Sequence, residues 1–519
     1  VVAFADQSCA EFTPIVGKSG LRAGLSAFPP LVIREVERVL DEAFNLDYSS
    51  RDLSVHVVHF SGLPYYGTAK SLTAYGLVGE ALKRGVLKSG SVVVEPTSGN
   101  TGLALADILH SIGISFIMVV SRKISEGFEA ELSRRFAAKT IEVDDPSSTE
   151  PVLEFIRHHR NTSFILVVKL PTNYCPTDEP TGAIAYAKKL VDEGGGGYGL
   201  VMLDQYTNNA NPDIHREFTA PSILRAVEQR LKGGRRLYVF LSGGTFGTAL
   251  GLAQFIVKHN LDAKLVLALP RGEDVFGVVD LDNAKRRKFF KELQALAQHS
   301  GRPELFEVVE VDSPMEKISR LWDINQKLRS LDTHVDLSGG YSSMLVLWCA
   351  INYITQRGLR NAVCVLLFHD SSKMYPKPRA SPITQLKDDS IFIDKLEVDR
   401  MLREERARIV YVDPIPAPMP KDAMYKLRSQ LEKTFNADVD TLDIKNIEDV
   451  LNLDGSLNLE EIKLKPDFVD QLLQASAKRP IVFVCPHGGT SRLLASKLKS
   501  MGVDRVYSLK GGVQTILQE

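Results

Sequence analysis

The chain has 519 residues, more than one compact core ordinarily holds, so two or three domains are expected. Hydrophobic residues make up 44% and charged residues 24%, the balance of a globular chain and not of a disordered one. The formal net charge of -1 excludes bulk attraction to nucleic acid or an anionic membrane, and the nearest approach to a membrane span, residues 344–354, is too short.

In chain order, Gly67-Thr68-Ala69-Lys70-Ser71 stands ahead of a helix predicted over residues 72–83. Val92-Val93-Val94 is a strand running into Glu95-Pro96-Thr97-Ser98-Gly99-Asn100-Thr101-Gly102, and Leu103-Ala104-Leu105-Ala106 continues as a helix. Phe116-Ile117-Met118-Val119-Val120 is the next strand. Residues 194–197 are consecutive glycines and are expected to form a mobile surface turn. Leu237-Tyr238-Val239-Phe240 is a strand that leads into Ser242-Gly243-Gly244-Thr245-Phe246-Gly247-Thr248 and a helix. Val363-Cys364-Val365-Leu366-Leu367 precedes His369-Asp370. Strand, loop and helix alternating in this order read as an α/β fold, a parallel sheet with helices on both faces. Ligands in such folds sit beyond the carboxyl ends of the strands, where these Gly, Ser and Thr loops fall.

Residues 375–390 hold Pro376, Pro378 and Pro382 among Lys and Asp residues and read as a linker. Beyond them Arg408-Ile409-Val410-Tyr411-Val412 and Pro480-Ile481-Val482-Phe483-Val484 are strands, and residues 492–501 are helical. A second, smaller α/β domain of roughly 130 residues is expected there. Cys9, Cys175, Cys349, Cys364 and Cys485 are odd in number and scattered, which points to reduced thiols in a cytoplasmic setting rather than a disulfide frame. No metal site is expected. The chain opens on Val1 rather than Met, so its first residues say nothing of targeting.

Three loops carry the chemistry. The first, 96–102, lies between a strand and a helix, so backbone N–H groups and hydroxyls gather where an anion can bind; the plainer alternative is a capped turn. The second, 242–248, has glycines that allow close backbone approach and hydroxyls that can donate to phosphate, though such a turn can also be only a turn. It matches neither the dinucleotide spacing nor the P-loop pattern. The third holds Lys70. A lysine is ordinarily a solvated surface charge. At a helix start, however, a cation is disfavoured, and a lysine of depressed pKa suits Schiff-base formation with a carbonyl cofactor.

Taken together, Gly67-Thr68-Ala69-Lys70, Glu95-Pro96-Thr97-Ser98-Gly99-Asn100-Thr101-Gly102 and Ser242-Gly243-Gly244-Thr245 resemble the ordered signatures of the fold-type II pyridoxal phosphate (PLP) enzymes, whose fold is like that of the tryptophan synthase β chain, with two parallel-sheet subdomains. Cysteine synthase (O-acetylserine sulfhydrylase) and cystathionine β-synthase are the closest in kind. Asp204-Gln205-Tyr206-Thr207-Asn208-Asn209-Ala210-Asn211-Pro212, with His215 and Thr219, and Gly340-Tyr341-Ser342-Ser343 are similar to two further family segments. The resemblance implies that Lys70 is the Schiff-base lysine and the base for the α-proton. It implies that Asn100 bonds the phenolic oxygen of PLP and that Ser342 faces the pyridine nitrogen. Ser242, Gly243, Gly244, Thr245 and Thr248 would cradle the phosphate, and Thr97, Ser98, Gly99, Thr101 and Gln205 would hold the substrate. A neutral hydroxyl at the ring nitrogen favours loss of a β-leaving group over transamination.

The sequence also departs from the family. Lys70-Ser71-Leu72 stands where the family has Lys-Asp-Arg, Asn209 replaces a Pro and Met344 a Gly. Pro270-Arg271-Gly272-Glu273-Asp274-Val275-Phe276-Gly277 and Lys285-Arg286-Arg287-Lys288 have no family counterpart.

Cys485-Pro486-His487-Gly488-Gly489-Thr490-Ser491 sits between a strand and a helix, where N–H groups and the helix dipole favour a thiolate; the alternative is a buried structural cysteine, as expected for Cys349 and Cys364. The loop and the closing 501–513 stretch resemble rhodanese domains, which implies a persulfide on Cys485. The arginine usual at the Thr490 position is missing, and Arg492 and His487 are the nearby sources of charge.

The expectation is thus a cysteine synthase-like domain over 1–378, a linker over 379–390 and a rhodanese-like domain over 391–519. Its expected activity is β-replacement on a β-substituted alanine (O-acetylserine, O-phosphoserine or cysteine) through an aminoacrylate, with sulfide or Cys485-borne sulfur as nucleophile. The alternatives are a cysteine desulfhydrase that passes sulfur to the second domain, and replacement by an amine with the second domain as a docking module. The resemblance further implies a homodimer.

Overall fold

The computed structural model describes residues 29–44, 46–97, 99–121, 126–160, 162–171, 182–272, 275–331, 337, 339–371, 375, 391–412, 421–442, 447–448, 463–464, 472, 474–485, 489–509 and 512–513. The described residues fall into two compact units, the first closing with Tyr375 and the second opening at Ile391.

The first unit holds two sheets. One runs in the order Val32–Glu35, Leu53–His59, Ala362–Phe368, Arg236–Ser242, Ala263–Arg271, Phe306–Asp312. All its pairings are parallel except the edge strand Val32–Glu35, which is antiparallel to its neighbour. Every residue of Leu53–His59 and of Ala362–Phe368 is buried, which is what near-continuous β-branched and apolar runs require when helices cover both faces. The other sheet is wholly parallel, in the order Lys139–Glu142, Ile165–Leu170, Ser115–Ser121, Val92–Pro96, Leu200–Met202. The loops after Leu53–His59, Val92–Pro96, Arg236–Ser242 and Ala362–Phe368 are all carboxyl-end loops of parallel strands, the ordinary place for a ligand.

Three expectations change. The helix that begins near Lys70 starts at Ala69 rather than 72, because Thr68 and Ser71 cap it reciprocally: Thr68 Oγ1 accepts from Lys70 N–H at 3.3 Å and Ser71 Oγ accepts from Thr68 N–H at 3.3 Å. The glycine run at 194–197 is no surface turn; it lies within the helix Ala183–Tyr198. Gly194 packs so closely that a Cβ there would meet Leu200 Cδ1 at 2.6 Å, and Gly199 ends the helix at φ +64°. Tyr375, at the head of the stretch read as a linker, is half-buried against the core of the first unit, while 376–390 lie outside the described residues.

The second unit is built on a five-stranded sheet in the order Phe392–Ile393, Val506–Leu509, Ile481–Val484, Arg408–Val412, Val439–Leu442, all parallel. Its core gathers Ile409, Tyr411, Val482 and Val484 with Val398, Leu431 and Leu509. No helix among the described residues is long and apolar enough to cross a membrane.

Two glycines test how tightly the site's scaffold is packed. In the helix Gly247–Lys258, a Cβ on Gly251 would stand 2.3 Å from the Pro212 carbonyl oxygen; in Ala69–Lys83, a Cβ on Gly79 meets nothing within 4 Å. Gly251→Ala is expected to destabilise by about 1–2 kcal/mol, overpacking outweighing the helix-propensity gain. Gly79→Ala is expected to stabilise by about 0.5–1 kcal/mol. Urea midpoints moving in opposite directions would bear this out.

Candidate active site

Lys70 stands in the first turn of the helix Ala69–Lys83, which is anchored to the central sheet by Ala69 N–H donating to the His369 carbonyl at 2.7 Å. The chain reaches it through Tyr65, Tyr66 and Gly67 at φ +56°, +85° and +61°. A side chain at 67 would also drive a Cβ to 2.6 Å from the Ser61 carbonyl oxygen, so only glycine fits. The Lys70 ammonium donates to Thr245 Oγ1 at 3.4 Å. Burial takes water away from that ammonium and pushes its pKa down to about 8.

Thr245 belongs to the 242–248 loop. Its Oγ1 also accepts from Asn211 Nδ2 at 3.1 Å and from Gly247 N–H at 3.4 Å. The loop packs against residues 275–279: Gly243 C=O accepts from Val279 N–H at 3.0 Å, and a Cβ on Gly244 would lie 2.6 Å from the Gly277 carbonyl oxygen. Phe246, at φ +66°, turns the chain into the helix Gly247–Lys258, whose N-terminal N–H groups and dipole favour an anion. Thr248 Oγ1 lies 3.1 Å from His215 Nε2, and His215 Nδ1 lies 2.9 Å from Thr219 Oγ1. Burial, with the Lys70 charge nearby, pushes the His215 pKa down to about 3, so the imidazole is neutral.

The 96–102 loop ends the strand Val92–Pro96, and Asn100 opens the helix Asn100–Ser111. Thr97 is buried, and Ser98 lies outside the described residues. The Thr101 hydroxyl donates to Gln205 Oε1 at 2.8 Å, and Gln205 Nε2 donates to the Pro96 carbonyl at 3.3 Å, which fixes the amide orientation. Glu95 holds the Gln205 segment from beneath: its carboxylate accepts from Asp204 N–H at 2.9 Å and Gln205 N–H at 2.8 Å, while burial pushes its pKa up to about 8. Asn211 Nδ2 donates to the Gln205 carbonyl at 2.8 Å as well as to Thr245, so one amide ties the two anion-binding loops together.

Asn100 Nδ2 donates to Asp370 Oδ2 at 2.6 Å and to the Tyr375 hydroxyl at 3.1 Å. Asp370 also accepts from Gly340 N–H at 3.0 Å, just before the helix Tyr341–Gln356, in which Ser342 is part-exposed in the first turn. Beside the substrate loop, the Phe276 ring is so close to Gly99 that a Cβ there would come within 2.9 Å of it; Phe276 packs against Phe128 and Tyr375 at centroid distances of 5.3 and 5.8 Å.

The residues read from the sequence are therefore gathered in two linked groups. Lys70, Thr245, Thr101 and Gln205 share one hydrogen-bonded network through Asn211. Asn100 and the turn carrying Ser342 share another through Asp370. Asp370, Tyr375, Asn211, Glu95 and Phe276 were not singled out as site residues. His369-Asp370 follows a buried strand at its carboxyl end, and that position alone marks it as a ligand-side turn.

In the second unit, Cys485 directly follows Ile481–Val484 and is buried. Its Sγ accepts from Ser491 N–H at 3.4 Å and Ser491 Oγ at 3.3 Å, and Ser491 Oγ lies 2.9 Å from Ser508 Oγ. Pro486, His487 and Gly488 lie outside the described residues. The Arg492 guanidinium lies over the Phe392 ring at 4.1 Å. Cys349 and Cys364 are buried in apolar surroundings that push their thiols up to about 12, as structural cysteines require.

Residues 60–312 match the family of pyridoxal-phosphate dependent enzymes and residues 427–519 match the rhodanese-like domain. Residues 60–312 are thus a pyridoxal-phosphate-dependent enzyme domain of fold type II, and a rhodanese-like domain follows it over residues 427–519. Its relatives are cysteine synthases and their kin. A probable cysteine synthase of Bacillus subtilis (strain 168) is 29% identical over 214 residues, 40% of this chain and 55% of that protein. A cysteine synthase of Aquifex aeolicus (strain VF5) is 28% identical over 205 residues, 39% of this chain and 50% of that protein. The chain spans about half the length of these curated relatives. The solved O-acetylserine dependent cystathionine beta-synthase from Helicobacter pylori aligns with a TM-score of 0.47 at 19% identity, over 73% of this chain and 99% of that one.

The residues present fit PLP. Gly243 and Gly244 leave no room for a side chain, a Cβ meeting the Phe246 ring at 2.1 Å and the Gly277 carbonyl oxygen at 2.6 Å, so the loop presents bare backbone at the N-terminus of a twelve-residue helix, next to an amine of lowered pKa. His369 Nδ1 is buried there with no hydrogen-bond partner among the described residues, and its pKa is pushed down to about 3 by burial and by Lys70.

Only a neutral amine attacks a carbonyl, so the Lys70 pKa sets the pH at which PLP is captured. Below about 8 the amine is mostly protonated; above it, mostly free. Cofactor-stripped protein, mixed briefly with PLP and reduced with borohydride, is expected to label Lys70 at a rate that rises with pH and levels off above about 8. Peptide mapping gives the profile. A rate still climbing near the ordinary lysine value of 10.5 would refute the assignment.

Proposed function

We propose that the chain catalyses PLP-dependent β-replacement on a β-substituted alanine, with O-acetylserine and O-phosphoserine as the candidate donors and hydrosulfide as the nucleophile. The observation that carries this reading is the network in which Lys70, the 242–248 loop and Gln205 beside the 96–102 loop are joined through Thr245 and Asn211. It gathers an amine, a phosphate cradle and a carboxylate cradle, the three contacts that PLP and an α-amino acid need.

When bound, PLP supplies the electron sink that lets the α-proton and the β-substituent depart. The protein supplies position and proton management. The 242–248 loop, with the dipole of Gly247–Lys258, holds the phosphate. Thr97, Ser98 and Thr101, with Gln205, hold the substrate carboxylate, and Glu95 keeps Gln205 in place. Lys70, with a pKa near about 8, takes up and returns the α-proton near neutral pH. Phe276 with Phe128 and Tyr375 forms an apolar wall beside Gly99 that keeps bulky β-substituents and water away.

The second domain fits a sulfur carrier. Cys485 Sγ accepts from the Ser491 N–H and hydroxyl, which hold the sulfur in place at the end of its strand. A persulfide on Cys485 yields hydrogen sulfide when two thiol molecules reduce its S–S bond, leaving the Cys485 thiol and one disulfide. That sulfide then adds at the β-carbon once the acetate or phosphate has left.

Two variants separate the halves of this reading. Lys70→Ala is expected to lose at least ~10²-fold in rate with every donor, as loss of a general base does. Cys485→Ser is expected to keep the full rate with free sulfide but to lose product formation from thiosulfate and glutathione. Product cysteine is quantified by mass spectrometry. Equal rates for Cys485→Ser with both sulfur sources would sink the carrier role, and pyruvate with sulfide as the sole products would turn the reading to cysteine desulfhydration.

A further inference from the structure

We infer that Asp370 is a positioning residue for the cofactor ring, acting through Asn100 at one edge and through the 340–343 turn at the other. The inference rests on the reading of Asn100 and Ser342 as PLP contacts and goes beyond it, because neither the sequence motifs nor the family resemblance names Asp370.

Asp370 follows the central strand Ala362–Phe368 and is buried at 4% exposure. A carboxylate placed there is costly unless donors surround it. Its Oδ2 accepts from Asn100 Nδ2 at 2.6 Å and from the Tyr375 hydroxyl; its Oδ1 accepts from Gly340 N–H at 3.0 Å and from the Ser343 hydroxyl at 3.4 Å. Both oxygens are claimed by N–H donors, so the surroundings favour the ionised form even though burial raises its pKa. These partners lie on two different elements. Asn100 opens one helix, 270 residues away in sequence, and 340–343 opens another.

The amide of Asn100 can face a carboxylate only with its NH2 group, since its oxygen would be repelled. Asp370 therefore dictates which end of Asn100 is the donor. The same NH2 group also donates to the Tyr375 hydroxyl at 3.1 Å, and it is this donor group that Asp370 turns toward a ligand oxygen able to take that hydroxyl's place. A negative charge behind the amide also strengthens that donor. On the opposite side, a Cβ at Gly340 would lie 2.3 Å from Asp370 Oδ1, so the turn before Ser342 is shaped around the carboxylate. A packing role alone would be served as well by an apolar side chain, which needs none of these donors.

The test is a double-mutant cycle on the full chain, with PLP as the probe. The wild type, Asp370→Asn, Asn100→Ala and the double variant are stripped of cofactor and titrated with PLP, following protein fluorescence and the visible absorption band. Asp370→Asn is expected to weaken PLP binding about 10- to 100-fold and to shift the band in the same direction as Asn100→Ala. In the Asn100→Ala background, Asp370→Asn is expected to cost no more than about 2-fold. Losses that multiply instead, or wild-type affinity and spectrum in Asp370→Asn, would overturn the inference. If Asp370→Asn does not fold, Asp370→Ser, which keeps an acceptor in a smaller side chain, carries the same comparison. A wild type that takes up no PLP would overturn the underlying reading of the site instead.

Discussion

Lys70 is cut off from water, and most of what surrounds it follows from that constraint. Removing water from the ammonium is enough to bring its pKa to about 8. The cost is that a partly desolvated cation needs a polar neighbour, and the neighbour is Thr245 in the loop that also cradles an anion. The same hydroxyl accepts from Asn211, whose amide reaches the Gln205 carbonyl. One hydrogen-bond chain thus places amine, phosphate loop and carboxylate loop with respect to each other. The close helix contacts at Gly76 and Gly251 serve that chain: a Cβ on either would press on the backbone of residues 210–212, which carry Asn211.

The loops of this site were legible in the sequence because their chemistry is local. A strand running into Thr97-Ser98-Gly99-Asn100-Thr101-Gly102 or into Ser242-Gly243-Gly244-Thr245 announces a helix N-terminus lined with donors, whatever the rest of the fold does. The parallel α/β class was legible for a like reason: the strands are short buried runs with Gly and Ser turns at their carboxyl ends. What could not be read is whatever depends on residues far apart in sequence. Asp370 becomes a site residue only because the strand before it is central, lying between Leu53–His59 and Arg236–Ser242, so that its carboxyl end faces Asn100. Tyr375 looked like linker, since prolines and charges follow it, yet its ring is held by Phe276 and Tyr341. The glycine run at 194–197 misled in the other direction. Local conformational freedom predicts a turn, but Gly194 packs against Leu153 and Leu200 where only a small residue fits, and the helix runs on through it.

The rhodanese-like unit shows how a motif can depart in sequence and keep part of its local geometry. The loop lacks the arginine usual at the Thr490 position, and Arg492 is turned onto the Phe392 ring. Sulfur at Cys485 is held instead by the Ser491 N–H and hydroxyl, backed by Ser508 on the neighbouring strand.

Residues 275–279 touch both loops of the site: Gly277 against Gly244, Val279 bonded to Gly243, and Phe276 against Gly99. Any change in the width of that segment therefore moves the 242–248 and 96–102 loops together. An aromatic ring at 276, packed on Phe128 and Tyr375, leaves an apolar wall where a polar side chain would have offered hydrogen bonds. The same ring touches Tyr375, and Tyr375 touches Asp370, so the ring beside Gly99 and the carboxylate that holds Asn100 are joined through one side chain. A substitution at Phe276 therefore acts on both.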